Sequence, residues 1–220
     1  MPDNSLSIVE SENDKDLEEE FAKLIVIAMG NLKAISDNQK KLLKTDAGRN
    51  QIRRKYESGR RIKKPSAAKL KDDQSLHILA ASVLNLKSHK LRIALLNHKK
   101  IKACENAMGK ILEGFLSGVL GKYGWRWSSG HLFEKTDFVR LKNGVLERLQ
   151  VKNRSNTENA ASRKGRGDVI MWHRFNPAKG EENWATLSSY GVSEKDINGA
   201  PDAFLKFVRD ISARLGREKS

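Results

Sequence analysis

Asp137, Gln150 and Lys152 are polar residues on either side of an Asn143-Gly144 pair. Asn-Gly between two alternating runs is the strongest short signal for a β-hairpin, because both turn positions require positive φ. A two-residue turn sets a register in which Asp137 lies opposite Gln150, with Lys152 two residues further along the same face. The spacing therefore predicts a carboxylate, an amide oxygen and an ammonium on one face of a hairpin.

This set of groups suits the hydrolysis of a phosphodiester with Mg²⁺. Mg²⁺ binds hard oxygen ligands and keeps several waters, so one or two carboxylates and the phosphate itself suffice to hold it. A lysine such as Lys152 can orient the attacking water and stabilise the charge that develops in the transition state. The alternative is structural: Asp137 and Lys152 could form an ordinary cross-strand salt bridge on a polar hairpin.

The order of an aspartate, a hairpin and a residue-x-Lys triplet is similar to the PD-(D/E)XK nuclease core. Two features depart from that pattern. Thr136 stands where the pattern has proline, and Gln150 replaces the second acid with a neutral oxygen. An acid from the preceding helix often completes such sites in this superfamily, and here Glu113 resembles that acid, with Glu105 as its rival. The resemblance implies a catalytic lysine, Lys152, and three metal ligands that also belong to the catalytic set, Asp137, Gln150 and Glu113.

Residues 152–164 are similar to the catalytic-strand region of type II restriction endonucleases of the SinI type, and the likeness extends through residues 168–187. It covers roughly residues 100–190. The resemblance implies a Mg²⁺-dependent enzyme that cuts both strands of double-stranded DNA at a short palindrome, GGWCC for this group, and leaves 5′-phosphates. It also implies a cognate DNA methyltransferase in the same system, although not as a stable partner. A palindromic target implies a twofold homodimer with one active site per strand.

The polar segment that follows Lys152 carries side chains of the types that read bases. Arginine can bind guanine with two hydrogen bonds, asparagine can do so with adenine, and glutamate can accept from cytosine. A solvated loop that touches only phosphate is the alternative. The candidate DNA-binding residues are Arg154, Asn156, Glu158, Asn159, Arg163 and Arg166.

The net charge of +15 is distributed unevenly. Residues 1–20 contain eight acids and one base, whereas residues 40–71 contain thirteen bases and two acids. Such a field attracts phosphate and accelerates association in a salt-dependent way. Nucleic acid is the favoured partner, although a ribosomal or membrane-surface protein can have a similar composition.

Other features of the composition exclude several classes of protein. No apolar run approaches the ~18–20 residues of a transmembrane helix, and the acidic start does not resemble a signal peptide. We therefore expect a cytoplasmic protein with no membrane partner. Cys104 is the single cysteine, which excludes an intramolecular disulfide framework, and its place on an apolar helix face predicts a buried, inert thiol. Trp125 and Trp127 are expected to pack in the core.

The predicted fold class is α/β, with a small mixed central sheet flanked by helices and a mostly helical N-terminal region. We expect a disordered acidic tail at 1–16, a helical basic DNA-binding region at 17–100 and a PD-(D/E)XK-like catalytic domain at 101–220. Apolar spacing predicts helices from residue 16, at 38–62 with an interruption near Gly48, at 73–100, at 101–121 and at 200–215. The expected core residues of the helical segment at 73–100 are Leu76, Leu79, Val83, Leu84, Leu91, Ile93 and Leu95. Strands are predicted at 137–142, 145–152 and 168–175.

Two other functions remain open from the sequence. One is a non-catalytic nucleic-acid-binding protein, which would bind DNA without cutting it. The other is a different PD-(D/E)XK nuclease, such as a structure-specific repair enzyme, for which DNA shape instead of sequence would set the point of cleavage.

Overall fold

The computed structural model describes residues 5–8, 14–66, 74–83, 87–154, 168–176 and 179–217. Helices dominate the first half of the described chain, and a mixed sheet covered by helices follows. The helices are α1 (Asp14–Gly30), α2 (Asp37–Leu43), α3 (Asp46–Gly59), α4 (Gln74–Val83), α5 (Ser88–Gly121) and α6 (Glu194–Arg217), with short 3₁₀ segments at Leu32–Ala34 and Trp184–Tyr190. The strands are β1 (Leu6–Ser7), β2 (Arg61–Ile62), β3 (Arg126–Trp127), β4 (Phe138–Lys142), β5 (Val145–Arg154), β6 (Val169–Asn176) and β7 (Glu181–Glu182).

Five strands form the central sheet in the order β3-β4-β5-β6-β7. All neighbours are antiparallel except β5 and β6, which run parallel. The small mixed sheet expected from the sequence is therefore confirmed, as is the helical N-terminal region. The two remaining strands, β1 and β2, form a separate antiparallel pair.

One face of the sheet packs against α5 and α6. Phe138, Leu149 and Trp172 project from three neighbouring strands into an apolar cluster that includes Leu116 of α5 and Phe204 of α6. Successive side chains of a strand point to opposite faces, so the neighbours of these residues face the other side of the sheet. Burial of this cluster attaches α5, and with it any acid on α5, to the middle of the sheet.

A second apolar cluster lies between the N-terminal helices and the loop before β4. It joins Leu24 of α1 and Tyr56 of α3 to Phe133 of the loop and to Val139 of β4. Val139 neighbours Phe138, whose side chain belongs to the first cluster, so the two clusters contact β4 on opposite faces.

The basic segment predicted as one helix at 38–62 is two helices. Its interruption is at Lys44 and Thr45 instead of at Gly48, because the Thr45 hydroxyl caps the second helix and accepts a hydrogen bond of 3.1 Å from the Gly48 N–H. The Ser36 hydroxyl caps α2 in the same way. Gly48 is needed for a different reason, since a Cβ there would lie 2.1 Å from the Leu42 carbonyl oxygen.

The short strand β1 ties the start of the described chain to α5. Ile8 is fully buried in the first cluster, and its N–H donates to the Arg60 carbonyl at 2.9 Å. The side chain of Ile8 packs against Gly114 so closely that a Cβ on Gly114 would lie 2.1 Å from it. Ile62 of β2 belongs to the same cluster.

The helices predicted at 73–100 and 101–121 are divided differently in the structure. Helix α5 is a single helix of 34 residues that runs through residue 100, the expected boundary between the two predicted helices. Three predicted core residues are exposed: Leu79 at 60%, Val83 at 71% and Ile93 at 46%. The predicted burial of Cys104 was also wrong, because the cysteine lies on the exposed side of α5. Within the described ranges, no helix is both long and apolar enough to cross a membrane.

Candidate active site

The hairpin of β4 and β5 has the predicted turn and register. Asn143 and Gly144 both have positive φ, 52° and 78°, as a two-residue turn of this kind requires. Lys142 pairs with Val145 and Phe138 pairs with Leu149. The paired residues end at Phe138, and Asp137, one residue earlier, forms hydrogen bonds with Leu149 and Val151, the residues on either side of Gln150.

The main chain and the side chain of Asp137 are both held by neighbouring strands. Its N–H donates to the Leu149 carbonyl at 2.9 Å, and its carbonyl accepts from the Ser128 N–H at 2.7 Å. Its carboxylate accepts a hydrogen bond of 2.7 Å from the Val151 N–H. The half-buried carboxylate is thus fixed at the edge of the hairpin where Gln150 and Lys152 lie.

Helix α5 brings a second carboxylate, Glu113, to Asp137. Glu113 is half-buried, and its Oε2 accepts a hydrogen bond of 3.1 Å from the Trp127 indole N–H. The rival acid, Glu105, lies two turns earlier, where it forms ion pairs with Lys102 at 3.6 Å and with Arg154 at 3.4 Å. Glu113 is therefore the acid of α5 that the structure brings together with Asp137.

Both carboxylates of this pair titrate above their usual range. Burial, followed by repulsion from Asp137, raises the pKa of Glu113 to about 7. Burial likewise raises the pKa of Asp137, although the Val151 hydrogen bond, Lys152 and His131 oppose the increase. Two carboxylates that are buried together in this way favour a proton or a cation between them.

Lys152 is half-buried on β5 and lies near both acids. Its ammonium lowers the pKa of Glu113 and of Asp137 by Coulombic attraction. The ion pairs within 4.0 Å that the described residues form do not include Asp137 with Lys152. The Asp137 carboxylate is instead held by a backbone N–H, so the ordinary salt bridge considered above is not formed.

The amide of Gln150 completes the set of oxygen atoms. Its Oε1 is buried and, among the described residues, has no hydrogen-bond partner. A buried acceptor without a partner is costly unless a donor or a cation satisfies it. The described residues contain no group of three or more His, Cys, Asp and Glu side chains that could hold a metal. Two carboxylates and one amide oxygen nevertheless fit Mg²⁺, because this ion needs few protein ligands.

The structure describes one of the six candidate base-reading residues. Arg154, at the end of β5, is exposed and forms its ion pair with Glu105. The remaining five lie outside the described residues: Asn156, Glu158, Asn159, Arg163 and Arg166.

Three contributors to this site were not predicted from the sequence. Trp127 was expected only to pack in the core; it is buried there, but its indole N–H also donates a hydrogen bond to Glu113. Lys110 lowers the pKa of Glu113, and its place one turn before Glu113 on a helix is a signal that could have identified it. His131 acts on Asp137 through space, and no spacing in the sequence indicates this.

Comparison with known proteins gives consistent results. A family model described as "SinI restriction endonuclease" matches residues 5–213. The type II restriction enzyme Eco47I of Escherichia coli is 30% identical over 168 residues, which cover 74% of this chain and 72% of that enzyme. The type II restriction enzyme SinI of Salmonella infantis is 29% identical over 208 residues, which cover 91% of this chain and 89% of that enzyme.

Proposed function

The chain belongs to the SinI restriction endonuclease family and is a type II restriction endonuclease, and from this premise we propose how and where it cuts DNA. It hydrolyses both strands of duplex DNA at a short palindrome, GGWCC, requires Mg²⁺ and leaves 5′-phosphates. The observation that supports this chemistry best is the buried pair of Glu113 and Asp137 with Lys152 beside it. Two charged carboxylates in this position repel each other and are poorly solvated, and a bound cation offsets both unfavourable effects.

Glu113, Asp137 and Gln150 would hold the Mg²⁺ ion through their oxygen atoms. When bound, Mg²⁺ neutralises charge on the scissile phosphate and makes a coordinated water more acidic. The hydrogen bonds from Val151 to Asp137 and from Trp127 to Glu113 fix the two carboxylates before the ion arrives. This preorganisation reduces the rearrangement that the reaction requires.

Lys152 would act on the phosphate and on the attacking water. Its ammonium group has three donors, and in the described part of the chain it is not held in a salt bridge with Asp137. It can therefore donate to the attacking water and to a non-bridging phosphate oxygen. Both hydrogen bonds become stronger as negative charge develops in the transition state.

We further propose that sequence is read by residues after β5. Arg154 is exposed, and the ion pair of 3.4 Å with Glu105 is weak enough to be exchanged for DNA. Phosphate contacts from the basic region at 17–100 would position the duplex without reading it. The base contacts are then assigned to Arg154, Asn156, Glu158, Asn159, Arg163 and Arg166.

The palindromic site leads to a proposal about assembly. A twofold homodimer would present one active site to each strand. The same restriction system would include a DNA methyltransferase that protects the host site without forming a stable complex with this enzyme. A cytoplasmic location would give the enzyme access to incoming DNA.

Incubation of the protein with long duplex DNA and Mg²⁺ tests this proposal. Discrete bands with ends that map to GGWCC and carry 5′-phosphates are expected. We expect Lys152→Ala to reduce cleavage by at least ~100-fold while DNA binding persists. The matched control is Lys142→Ala at the exposed end of β4, which should cut normally. A smear of fragments, or DNA that is bound but intact, would contradict the proposal.

A further inference from the structure

A second set of positive charges lines a pocket between α3, α5 and the loop that leads to Asp137. We call it the basic pocket, and its volume is about 500 Å³. None of the described residues that line it carries a carboxylate. The charged and titratable side chains of its lining are Arg54, Lys55, Lys110 and His131.

The basic side chains of α3 fall into two groups, those in ion pairs with carboxylates and those without such a partner. Arg49 forms an ion pair with Asp46, and Arg53 forms ion pairs with Glu18 and Glu57. Arg54 and Lys55, by contrast, are exposed, and neither has a carboxylate within 4.0 Å among the described residues. The unpaired side of α3 is the side that lines the basic pocket.

The wall of the pocket is packed rigidly. A Cβ on Gly130 would lie 2.6 Å from the carbonyl carbon and oxygen of Lys55, so at this point the backbones of the loop and of α3 are in contact. The Ser129 hydroxyl also donates to the Tyr56 carbonyl at 2.8 Å. These contacts fix the part of α3 that carries Arg54 and Lys55 relative to the loop that leads to Asp137.

The basic pocket also adjoins the two candidate metal-binding carboxylates. Lys110 lies one turn before Glu113 on α5, and its ammonium lowers the pKa of Glu113. His131 lowers the pKa of Asp137. A group bound in the pocket would therefore lie beside the position of the scissile phosphate.

We propose that the basic pocket binds a DNA backbone phosphate that neighbours the scissile phosphate on the same strand, with Arg54, Lys55 and Lys110 as its ligands. The inference rests on the proposed function, since it takes duplex DNA as the substrate. A phosphate is an anion that Arg and Lys bind with charge-assisted hydrogen bonds. Such a contact carries no sequence information, but it fixes the register of the strand over the metal site.

A phosphate-by-phosphate test can detect this contact. The bond cut by the wild-type enzyme is mapped first, with Mg²⁺. Affinity is then measured in EDTA for a set of duplexes, in each of which one phosphate of the bound site is replaced by a neutral methylphosphonate. The set is applied to the wild type, to Arg54→Ala/Lys55→Ala, and to the control Lys41→Ala/Lys44→Ala, which removes two exposed charges outside the pocket.

The proposal predicts a specific coupling between side chain and phosphate. A methylphosphonate next to the mapped bond should weaken wild-type binding by about 5- to 10-fold. It should weaken the pocket variant by less than twofold, because the contact is already lost, whereas the control variant should respond like the wild type. If the pocket variant is as sensitive as the wild type at every position, the inference is wrong. Absence of cleavage in the mapping step would count against the proposed function instead. The binding measurements in EDTA cover every phosphate of the duplex, so they still show whether any one phosphate is coupled to Arg54 and Lys55.

Discussion

The indole N–H of Trp127 donates a hydrogen bond of 3.1 Å to Glu113 Oε2, and this bond joins strand β3 to the acid on helix α5. Trp127 is buried against the sheet, so its donor has little freedom to move. The contact lowers the pKa of Glu113 and opposes the increase caused by burial and by Asp137. It therefore favours the charged form of Glu113, which is the form that can bind a cation.

Trp127→Phe should change the pH dependence of cleavage. The substitution keeps most of the packing but removes the donor, so the pKa of Glu113 should rise further above about 7. The acidic limb of the cleavage profile should move to higher pH, and half-maximal cleavage should need more Mg²⁺.

Trp125→Phe is the matched control for this variant. Trp125 is also buried, and its indole donates at 3.0 Å to the Tyr190 carbonyl, not to an acid. We expect a loss of stability of similar size, about 1 kcal/mol for the hydrogen bond, with an unchanged pH profile. If Trp127→Phe and Trp125→Phe have the same pH profile of cleavage, Trp127 does not position Glu113.

Glu113→Gln should stabilise the protein in the absence of metal while it abolishes cleavage. The pKa of Glu113 is about 7 in the folded protein, above its ordinary value of 4.5, so the folded state binds more protons between these values. The stability that Glu113 contributes is therefore fully present below pH 4.5 and is lost as pH rises through about 7. At pH 8 in EDTA the neutral glutamine should restore on the order of 2 kcal/mol.

Denaturant unfolding at pH 5 and at pH 8 would measure this effect. The difference between Glu113→Gln and the wild type should be small at pH 5 and larger at pH 8. Glu105→Gln serves as the control, because Glu105 is engaged by Lys102 and Arg154 outside the carboxylate pair. A pH-independent difference for Glu113→Gln would contradict the assignment.

Gln150→Glu should tighten the binding of Mg²⁺. The change adds a charged oxygen where the structure has a buried amide oxygen without a partner among the described residues. We expect the Mg²⁺ concentration for half-maximal cleavage to fall by about tenfold, since affinity follows the number of charged ligands.

Asn38→Asp controls for the added charge, since it introduces an acid at an exposed position of α2. It should leave the Mg²⁺ requirement unchanged. If Gln150→Glu also leaves it unchanged, Gln150 is not a ligand.

Gly130→Ala should destabilise the protein strongly. Gly130 has φ of 81°, and a Cβ would lie 2.6 Å from the Lys55 carbonyl, so both the conformation and the space are unsuitable for alanine. A loss of about 2 kcal/mol or more is expected in thermal unfolding. Gly118→Ala on α5 meets nothing within 4 Å and should instead raise stability by about 0.5–1 kcal/mol.

Local signals in the sequence predicted the part of the site that lies on the hairpin. The Asn143-Gly144 turn determines the register, and the register brings Asp137 to the part of β5 that contains Gln150. Glu113 was a candidate only because it resembles the helix acid of the PD-(D/E)XK superfamily, with Glu105 as its rival. The bond from Trp127 and the electrostatic effect of His131 depend on how distant segments pack, and no spacing within one element reveals that.

The dependence on distant packing also explains why the burial of four helical residues was predicted wrongly. Apolar spacing identifies which face of a helix can be buried but not whether another element covers it. Leu79, Val83 and Ile93 follow such spacing and are nevertheless exposed in the described structure. Cys104 was assigned to a buried face by the same reasoning and is exposed.

The packing of Ile8 against Gly114 has a practical consequence for anyone who divides this chain into pieces. Gly114 directly follows the candidate metal ligand Glu113, so the residue that packs against this turn of α5 comes from the N-terminal segment, far away in the sequence. A fragment that begins at residue 101 would lack both Ile8 and Ile62 and would leave a cavity in the apolar cluster next to the candidate site. We therefore expect removal of residues 5–8 to loosen the turn of α5 that carries Glu113.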